Sequence, residues 1–238
     1  MLGLVNSVSG SSYVSMDLKD ATTDLELWLK NGVGVTAERW NDSSGNNTNA
    51  FQTTELNQAT VSGGGLDFDG SNNFYELTSN ITIAENGGFC LAAVVEVDVV
   101  DNATIAADDS AAEAQLTIVD ATSFKFRATD QRTTTFVFPS GTFTTSKMLI
   151  LLNRTSGVSN RFTFFKNGVA LTPDVDNSVN EAEGENPKPF DFVYMGALGA
   201  SGTQHFDGKI LELAFWSKGL NAQEIADVNS YLQGIHGL

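Results

Sequence analysis

The chain has 238 residues, 41% of them hydrophobic and 18% charged, and its 29 acidic side chains outnumber its 13 basic ones to give a formal net charge of −16. This balance argues against nucleic-acid binding, because that affinity comes from Lys and Arg releasing counterions from phosphates. No segment approaches the roughly 18 consecutive apolar residues of a membrane span, so membrane insertion is not expected.

Residues 1–23 are small and polar, and we expect them to form an N-terminal arm or lead-in strand ahead of one domain over residues 24–238. The first residues lack both the basic region and the long apolar core of a signal peptide. We therefore expect synthesis in a cytoplasm. A length of 238 residues suits one large β-sandwich.

Short strands are predicted along most of the domain. Leu25–Leu29 alternates apolar and polar residues, as a half-buried strand does. The other strands are expected near residues 65–69, 73–78, 88–97, 114–119, 123–128, 134–138, 147–153, 161–166, 191–196 and 208–216. Asn167-Gly168 is typical of a type I′ hairpin turn, since both residues tolerate positive φ. Residues 172–190 are predicted to be the longest irregular loop.

One helix is predicted, close to the C-terminus. Asn221 can cap it, with Glu224 at the reciprocal position of a capping box. Ile225, Val228 and Leu232 then lie on one face, which we expect to pack against the sandwich. Many strands and a single terminal helix predict an all-β sandwich.

Three segments in the same order resemble the laminin-G-like members of the concanavalin-A-like family. They are Leu66–Phe74 with its Phe-Asp-Gly turn, the hairpin over 148–171, and Phe206–Ile225. The resemblance covers about residues 24–236. It implies a concanavalin-A-like (laminin-G-like) jelly-roll β-sandwich with one short C-terminal helix.

The opening Met1-Leu2-Gly3-Leu4 and the acidic, Asn/Thr/Gly-rich body also resemble virion structural proteins of marine tailed phages. This second resemblance implies a place on the virion surface. It implies other virion proteins as partners, in an oligomeric assembly, with a cell-surface glycan as a further ligand.

Catalysis is not expected. Laminarinase-type hydrolases of this fold carry Glu-X-Asp-X-(X)-Glu on one strand, where alternation places the carboxylates on one face. Glu96-Val97-Asp98 begins that pattern, but Val100 and Asp101 stand where the closing Glu is needed. We therefore interpret Glu96 and Asp98 as strand-end residues, and Glu212 as a fold-supporting hydrogen-bond partner. The single cysteine, Cys90, lies in an apolar run and is expected to be a buried structural thiol.

No cofactor is required by any motif, and calcium is the one candidate. Asp108, Asp109 and Glu113 precede the strand near 114–119 and offer the oxygen ligands that calcium takes. Their spacing is not diagnostic, so a solvated acidic loop is the favoured interpretation and a calcium site the alternative.

Sugar binding would come from rim loops that combine an aromatic face with Asn and Asp side chains. Trp40, Asn41, Asp42 and Phe51 are the candidates. The alternative is that Trp40 and Phe51 close the edge of the sandwich. The expected function is a non-catalytic virion surface protein, as capsid decoration, fibre or adhesin, acting through protein contacts with glycan recognition beside them. A carbohydrate-binding lectin module is the first alternative and a degenerate glycoside hydrolase the second.

Overall fold

A computed structural model describes residues 17–108, 114–128, 133–156, 162–176, 189–199 and 203–238. Within these ranges the chain forms seventeen strands, two α-helices and one 3-10 turn at Glu55–Asn57. The helices are α1 (Leu18–Ala21) and α2 (Ala222–His236). The strands are β1 (Leu25–Leu29), β2 (Arg39–Trp40), β3 (Ala50–Phe51), β4 (Thr60–Ser62), β5 (Gly65–Asp69), β6 (Tyr75–Ile83), β7 (Phe89–Val97), β8 (Ala103–Ala107), β9 (Gln115–Ile118), β10 (Ser123–Arg127), β11 (Thr133–Val137), β12 (Met148–Arg154), β13 (Phe162–Lys166), β14 (Val169–Leu171), β15 (Val175–Asp176), β16 (Phe190–Met195) and β17 (Asp207–Trp216).

The strands form two antiparallel sheets. The first runs β14-β13-β12-β7-β17-β5-β4, and β1 also pairs with β17. The second runs β15-β11-β10-β9-β8-β16-β6-β3-β2. Two such sheets and one short C-terminal helix confirm the predicted all-β sandwich.

One apolar core lies between the two sheets. Phe89 stacks on Phe215 with ring centroids 5.6 Å apart and an interplanar angle of 8°, and on Phe190 at 5.5 Å. Such aromatic packing contributes energy beyond the area that each ring buries.

A second core covers the other face of the first sheet. Alternate residues of β7 and β12, such as Cys90 and Leu151, point to this face and pack with Trp28, Trp216 and the apolar side of α2. The first sheet is therefore buried on both faces. This double burial explains why Met148–Arg154 is apolar almost throughout and buried at every position.

The local predictions near α2 are confirmed. The side chain of Asn221 accepts hydrogen bonds from the N–H groups of Gln223 and Glu224, and Glu224 accepts one from the Asn221 N–H, which completes the capping box. Asn167 and Gly168 have φ angles of 48° and 74°, as a type I′ turn requires.

Several elements were not predicted. β2 and β3 have two residues each, and β8 consists mostly of alanine, so neither length nor β-propensity signals them. Helix α1 lies inside the predicted arm, where Leu18 is fully buried and Thr22 accepts a hydrogen bond from Trp216 Nε1 at 2.7 Å. The predicted arm therefore packs on the domain from Asp17 onward, and its residues 1–16 lie outside the described ranges.

The loop predicted over 172–190 falls mostly outside the description, since residues 177–188 are not described. Its residues Val175–Asp176 form β15, at the end of the second sheet. None of the helices in the described residues is long and apolar enough to cross a membrane.

Candidate functional site

A groove of about 670 Å³ lies between α2 and the hairpin formed by β12 and β13. Its size is typical of ligand-binding clefts. Six of its twelve lining residues carry amide or hydroxyl groups, and these are Asn153, Thr155, Thr163, Asn229, Ser230 and Gln233. The half-buried ring of Phe165 lies among them, and Leu220 and Ile225 add apolar surface.

Asn153 holds one end of the groove. It ends the apolar run of β12 and is only 2% exposed. Its Oδ1 accepts a hydrogen bond from the Leu220 N–H at 2.7 Å, and its Nδ2 donates one to the Leu220 carbonyl at 3.2 Å. These two hydrogen bonds hold the segment that leads into α2 against β12.

The type I′ turn at Asn167-Gly168 holds the other end. Asn167 Oδ1 accepts a hydrogen bond from the Leu149 N–H at 2.8 Å, and the Asn167 carbonyl accepts one from Gln233 Nε2. A Cβ atom at Gly168 would lie 2.8 Å from the Gln233 amide, so glycine permits this close approach. Because α2 is tied down at both ends, the groove between the ties is a built-in feature of the fold.

Asn229 is the polar residue of this groove that the structure leaves unsatisfied. It is 5% exposed, and its Oδ1 has no hydrogen-bond partner among the described residues. A buried acceptor without a partner costs about 1–3 kcal/mol. A ligand that donates a hydroxyl or N–H here would recover that energy.

Sequence reasoning missed Asn229, although a signal was present. Asn229 follows Ile225 by four residues and Val228 by one, so it lies on the stripe that was assigned to packing. A polar residue on an otherwise apolar stripe was the clue.

Trp40, predicted as a sugar-stacking residue, is fully buried in the core between the sheets. Its Nε1 donates a hydrogen bond to the Lys30 carbonyl at 3.1 Å. The prediction for Trp40 is therefore wrong, because a sugar ring has no access to its indole face. The alternative, that Trp40 closes the sandwich, fits its burial.

The other three candidates lie in the same corner. Asp42 accepts hydrogen bonds from the backbone N–H groups of Trp28, Ser44 and Thr48, at 2.9, 2.8 and 3.2 Å. The Asp42 carboxylate thus stabilises the loop over residues 42–48. Asn41 is exposed and Phe51 half-buried. Sugar binding by Asn41, Asp42 and Phe51 stays a prediction.

Of the calcium candidates, Asp108 is 2% exposed and accepts a hydrogen bond from the Ala114 N–H at 2.9 Å. Asp109 and Glu113 lie outside the described residues. In the described part of the chain, no group of three or more His, Cys, Asp or Glu side chains could hold a metal ion. Calcium binding at 108–113 stays a prediction.

A second hollow, of about 390 Å³, is acidic and lies where β5, β17 and β7 run side by side. The strand register aligns Asp67, Lys209 and Glu96 in one row. It places Asp207 opposite Asp69, and the Asp98 N–H donates to the Asp207 carbonyl at 2.9 Å. We call these two rows the acidic rows.

The acidic rows repel one another. Burial raises the pKa of Asp67; Lys209 opposes this rise, while Asp98 and Glu96 add to it. Burial raises the pKa of Asp207 as well, and the nearby carboxylates, Asp98 foremost, reinforce the shift. Lys209 lies 3.5 Å from Glu96, so this part of the incomplete hydrolase pattern forms an ion pair.

Two buried groups that could carry chemistry serve the fold. Glu212 is 1% exposed and accepts hydrogen bonds from Trp28 Nε1, which confirms its predicted supporting role. Cys90 is fully buried, and burial raises the pKa of its thiol well above the usual value, as a structural thiol requires.

A family model described as the Concanavalin A-like lectin/glucanases superfamily matches residues 69–226, more than half of the chain. Among curated proteins, none matches. Among solved structures, a Trypanosoma rangeli sialidase in complex with 2,3-difluoro-KDN is similar, with a TM-score of 0.57 and 15% identity over 90% of this chain and 33% of the sialidase.

Two further structures are similar. The botulinum neurotoxin serotype D binding domain has a TM-score of 0.54 and 13% identity, over 87% of this chain and 50% of that one. Domain 4 of an extracellular arabinanase from Geobacillus stearothermophilus, in complex with arabinotriose, has a TM-score of 0.51 and 13% identity, over 87% of this chain and 98% of that domain. The chain spans only about a third of the sialidases, and at these identities the likeness shows the fold alone.

Proposed function

Because this chain belongs to the concanavalin A-like lectin/glucanases superfamily, we propose that it is a non-catalytic carbohydrate-binding module. Its binding site in this proposal is the groove between α2 and the β12-β13 hairpin. The observation that carries the proposal is the buried, unsatisfied amide oxygen of Asn229 in a preformed groove of amide and hydroxyl groups.

The groove chemistry suits a sugar. Hydroxyls of Thr163 and Ser230 can both donate and accept, and Asn229 Oδ1 can accept from a sugar hydroxyl. Phe165, beside them, offers apolar surface to the C–H groups of a pyranose or furanose ring. Because α2 is tied at both ends, little ordering is needed when a ligand binds, which favours affinity.

The similar structures support sugar as the ligand class. The sialidase is in complex with a fluorinated nononic acid, and the arabinanase domain is in complex with arabinotriose. The arabinanase domain is the most relevant of these, because this chain covers almost its whole length.

Binding without hydrolysis is the proposed mode of action. Glycosidases need two carboxyl groups that flank the scissile bond. None of the described residues that line the groove carries a carboxyl group. Glu96, from the incomplete hydrolase pattern, lies outside the groove lining and forms an ion pair with Lys209.

A glycan array, followed by calorimetry on the best ligands, tests the proposal. We expect binding that Asn229→Leu and Phe165→Ala both weaken, with no release of reducing sugar from the bound oligosaccharide. If the wild-type chain binds no glycan on the array, or if it hydrolyses the bound oligosaccharide, the proposal is contradicted.

The virion-surface role remains part of the proposal. In that setting the module would act as a decoration, fibre or adhesin component, and the groove would face a cell-surface glycan. Stoichiometric recovery of the chain with purified particles is the expected result. Its absence from particles would leave a free lectin module as the better description.

A further inference from the structure

We propose that the groove selects uncharged glycans and discriminates against acidic ones, such as those that carry sialic acid. This inference rests on the proposed function and adds the class of ligand. Its starting point is charge: the chain carries a net charge of −16, yet none of the twelve described residues that line the groove is charged.

None of the described residues that line the groove would offer a cation to an acidic sugar. A carboxylate that leaves water needs a Lys, an Arg or several N–H donors to replace its hydration. The lysines closest in sequence to the lining are engaged elsewhere. Lys166 Nζ donates to the Thr142 carbonyl, and Lys218 Nζ lies 2.7 Å from Glu224 Oε1.

The helix that forms one wall adds repulsion. Between its first residue and His236, α2 contains Glu224 and Asp227 and no Lys or Arg. Both carboxylates lie on the same helix as the lining residues Ala226, Asn229 and Ser230, within a few residues of them. Since Glu224 is paired with Lys218, the repulsion of an anion would come from Asp227 and from the net charge of −16, and it decreases as salt rises.

A neutral sugar faces no such penalty. Its hydroxyls can donate to Asn229 Oδ1 and exchange hydrogen bonds with Thr163 and Ser230. An acceptor-only carboxylate in the same position would leave Asn229 Oδ1 unsatisfied and place two acceptors together. Asn229 thus acts as the residue that determines specificity for a hydroxyl donor.

The test is a panel of neutral oligosaccharides, each presented beside its sialylated counterpart, with dissociation constants measured by calorimetry. In each pair that binds, we expect the neutral oligosaccharide to have a dissociation constant at least about tenfold lower than its sialylated counterpart. The ratio of the two dissociation constants should decrease at high salt. Equal or tighter binding of the sialylated members overturns this inference alone. If no member binds, the proposed function fails and this inference fails with it.

A matched pair of variants separates the groove from the overall charge. Ser230→Lys places a cation at the groove, and we expect it to reduce the preference for neutral sugars several-fold. Gly234→Lys adds the same charge to α2 outside the groove, where a Cβ atom meets nothing within 4 Å. It should leave the preference unchanged. An equal effect of both variants contradicts a role for the groove itself.

Discussion

Nε2 of His236 lies 2.7 Å from Oε2 of Glu212, which joins the last turn of α2 to the closing strand β17. The other carboxylate oxygen of Glu212 accepts a hydrogen bond from Trp28 Nε1, also at 2.7 Å. The carbonyl of His236 accepts a further bond from Lys147 Nζ. Strands β1 and β17 and the residue before β12 are thereby connected to the C-terminal end of the helix that forms a wall of the groove.

Glu212→Ala should lower the free energy of unfolding by about 3 kcal/mol, because it leaves buried donors of Trp28 and His236 without their acceptor. Urea denaturation followed by tryptophan fluorescence measures the change. Glu96→Ala is the control: Glu96 is 37% exposed in its ion pair with Lys209, so its loss should cost no more than about 1 kcal/mol. Equal losses for the two variants would show that the buried contact has no special weight.

Asp207→Asn should raise the melting temperature at pH 7. The pKa of Asp207 is raised in the folded state. Protonated Asp207 therefore stabilises the fold fully at pH values below its ordinary pKa near 3.8. This stabilisation is lost as pH rises through the folded-state pKa. The difference between variant and wild type should therefore shrink as pH falls from neutral toward 4. A difference that is constant with pH would contradict the repulsion within the acidic rows.

Glu224→Gln should show the opposite trend. Burial opposes ionisation of Glu224, but the hydrogen bonds from Lys218 and the Asn221 N–H outweigh it and lower the pKa. Its contribution is present above the unfolded value near 4.5 and is lost as pH falls through the folded pKa. The variant should thus melt below wild type at pH 7 and approach it in acid, as thermal scans across pH can measure.

Gly208→Ala should destabilise the fold by about 2 kcal/mol or more. Gly208 has a φ of +123°, and a Cβ atom there would lie 2.2 Å from the Glu96 carbonyl oxygen. Gly234→Ala, in the interior of α2, should instead stabilise it by about 0.5–1 kcal/mol, because the site is open and alanine favours helix. Chemical denaturation of both variants checks the contrast in sign.

Asn229→Leu should raise the melting temperature while it weakens glycan binding, since it removes an unsatisfied buried acceptor and with it the proposed ligand contact. Asn41→Ala, at the predicted rim site, should change neither property. The opposite pattern, with binding lost only in Asn41→Ala, would move the site to the loop beside Trp40.

Much of the architecture was predictable because its signals are local. The capping box at Asn221 and Glu224 depends on residues three apart, and the turn at Asn167-Gly168 depends on two adjacent residues that tolerate positive φ. The alternation in Leu25–Leu29 likewise needs only its own five residues. The unpredicted strand β8 lacked such a signal, since its small residues become a strand only through their neighbours.

By itself, the sequence determined the strand pattern, the C-terminal helix and hence the β-sandwich, since periodicity and capping act over a few residues. Only the tertiary structure decided which polar residues matter. Trp40 was a candidate for a rim position and is buried. Asn153 acquires its role from its contact with Leu220, and Asn229 from its buried position in the groove. Those contacts depend on how α2 lies on the first sheet, and burial and charge at such a site are properties of the packed chain.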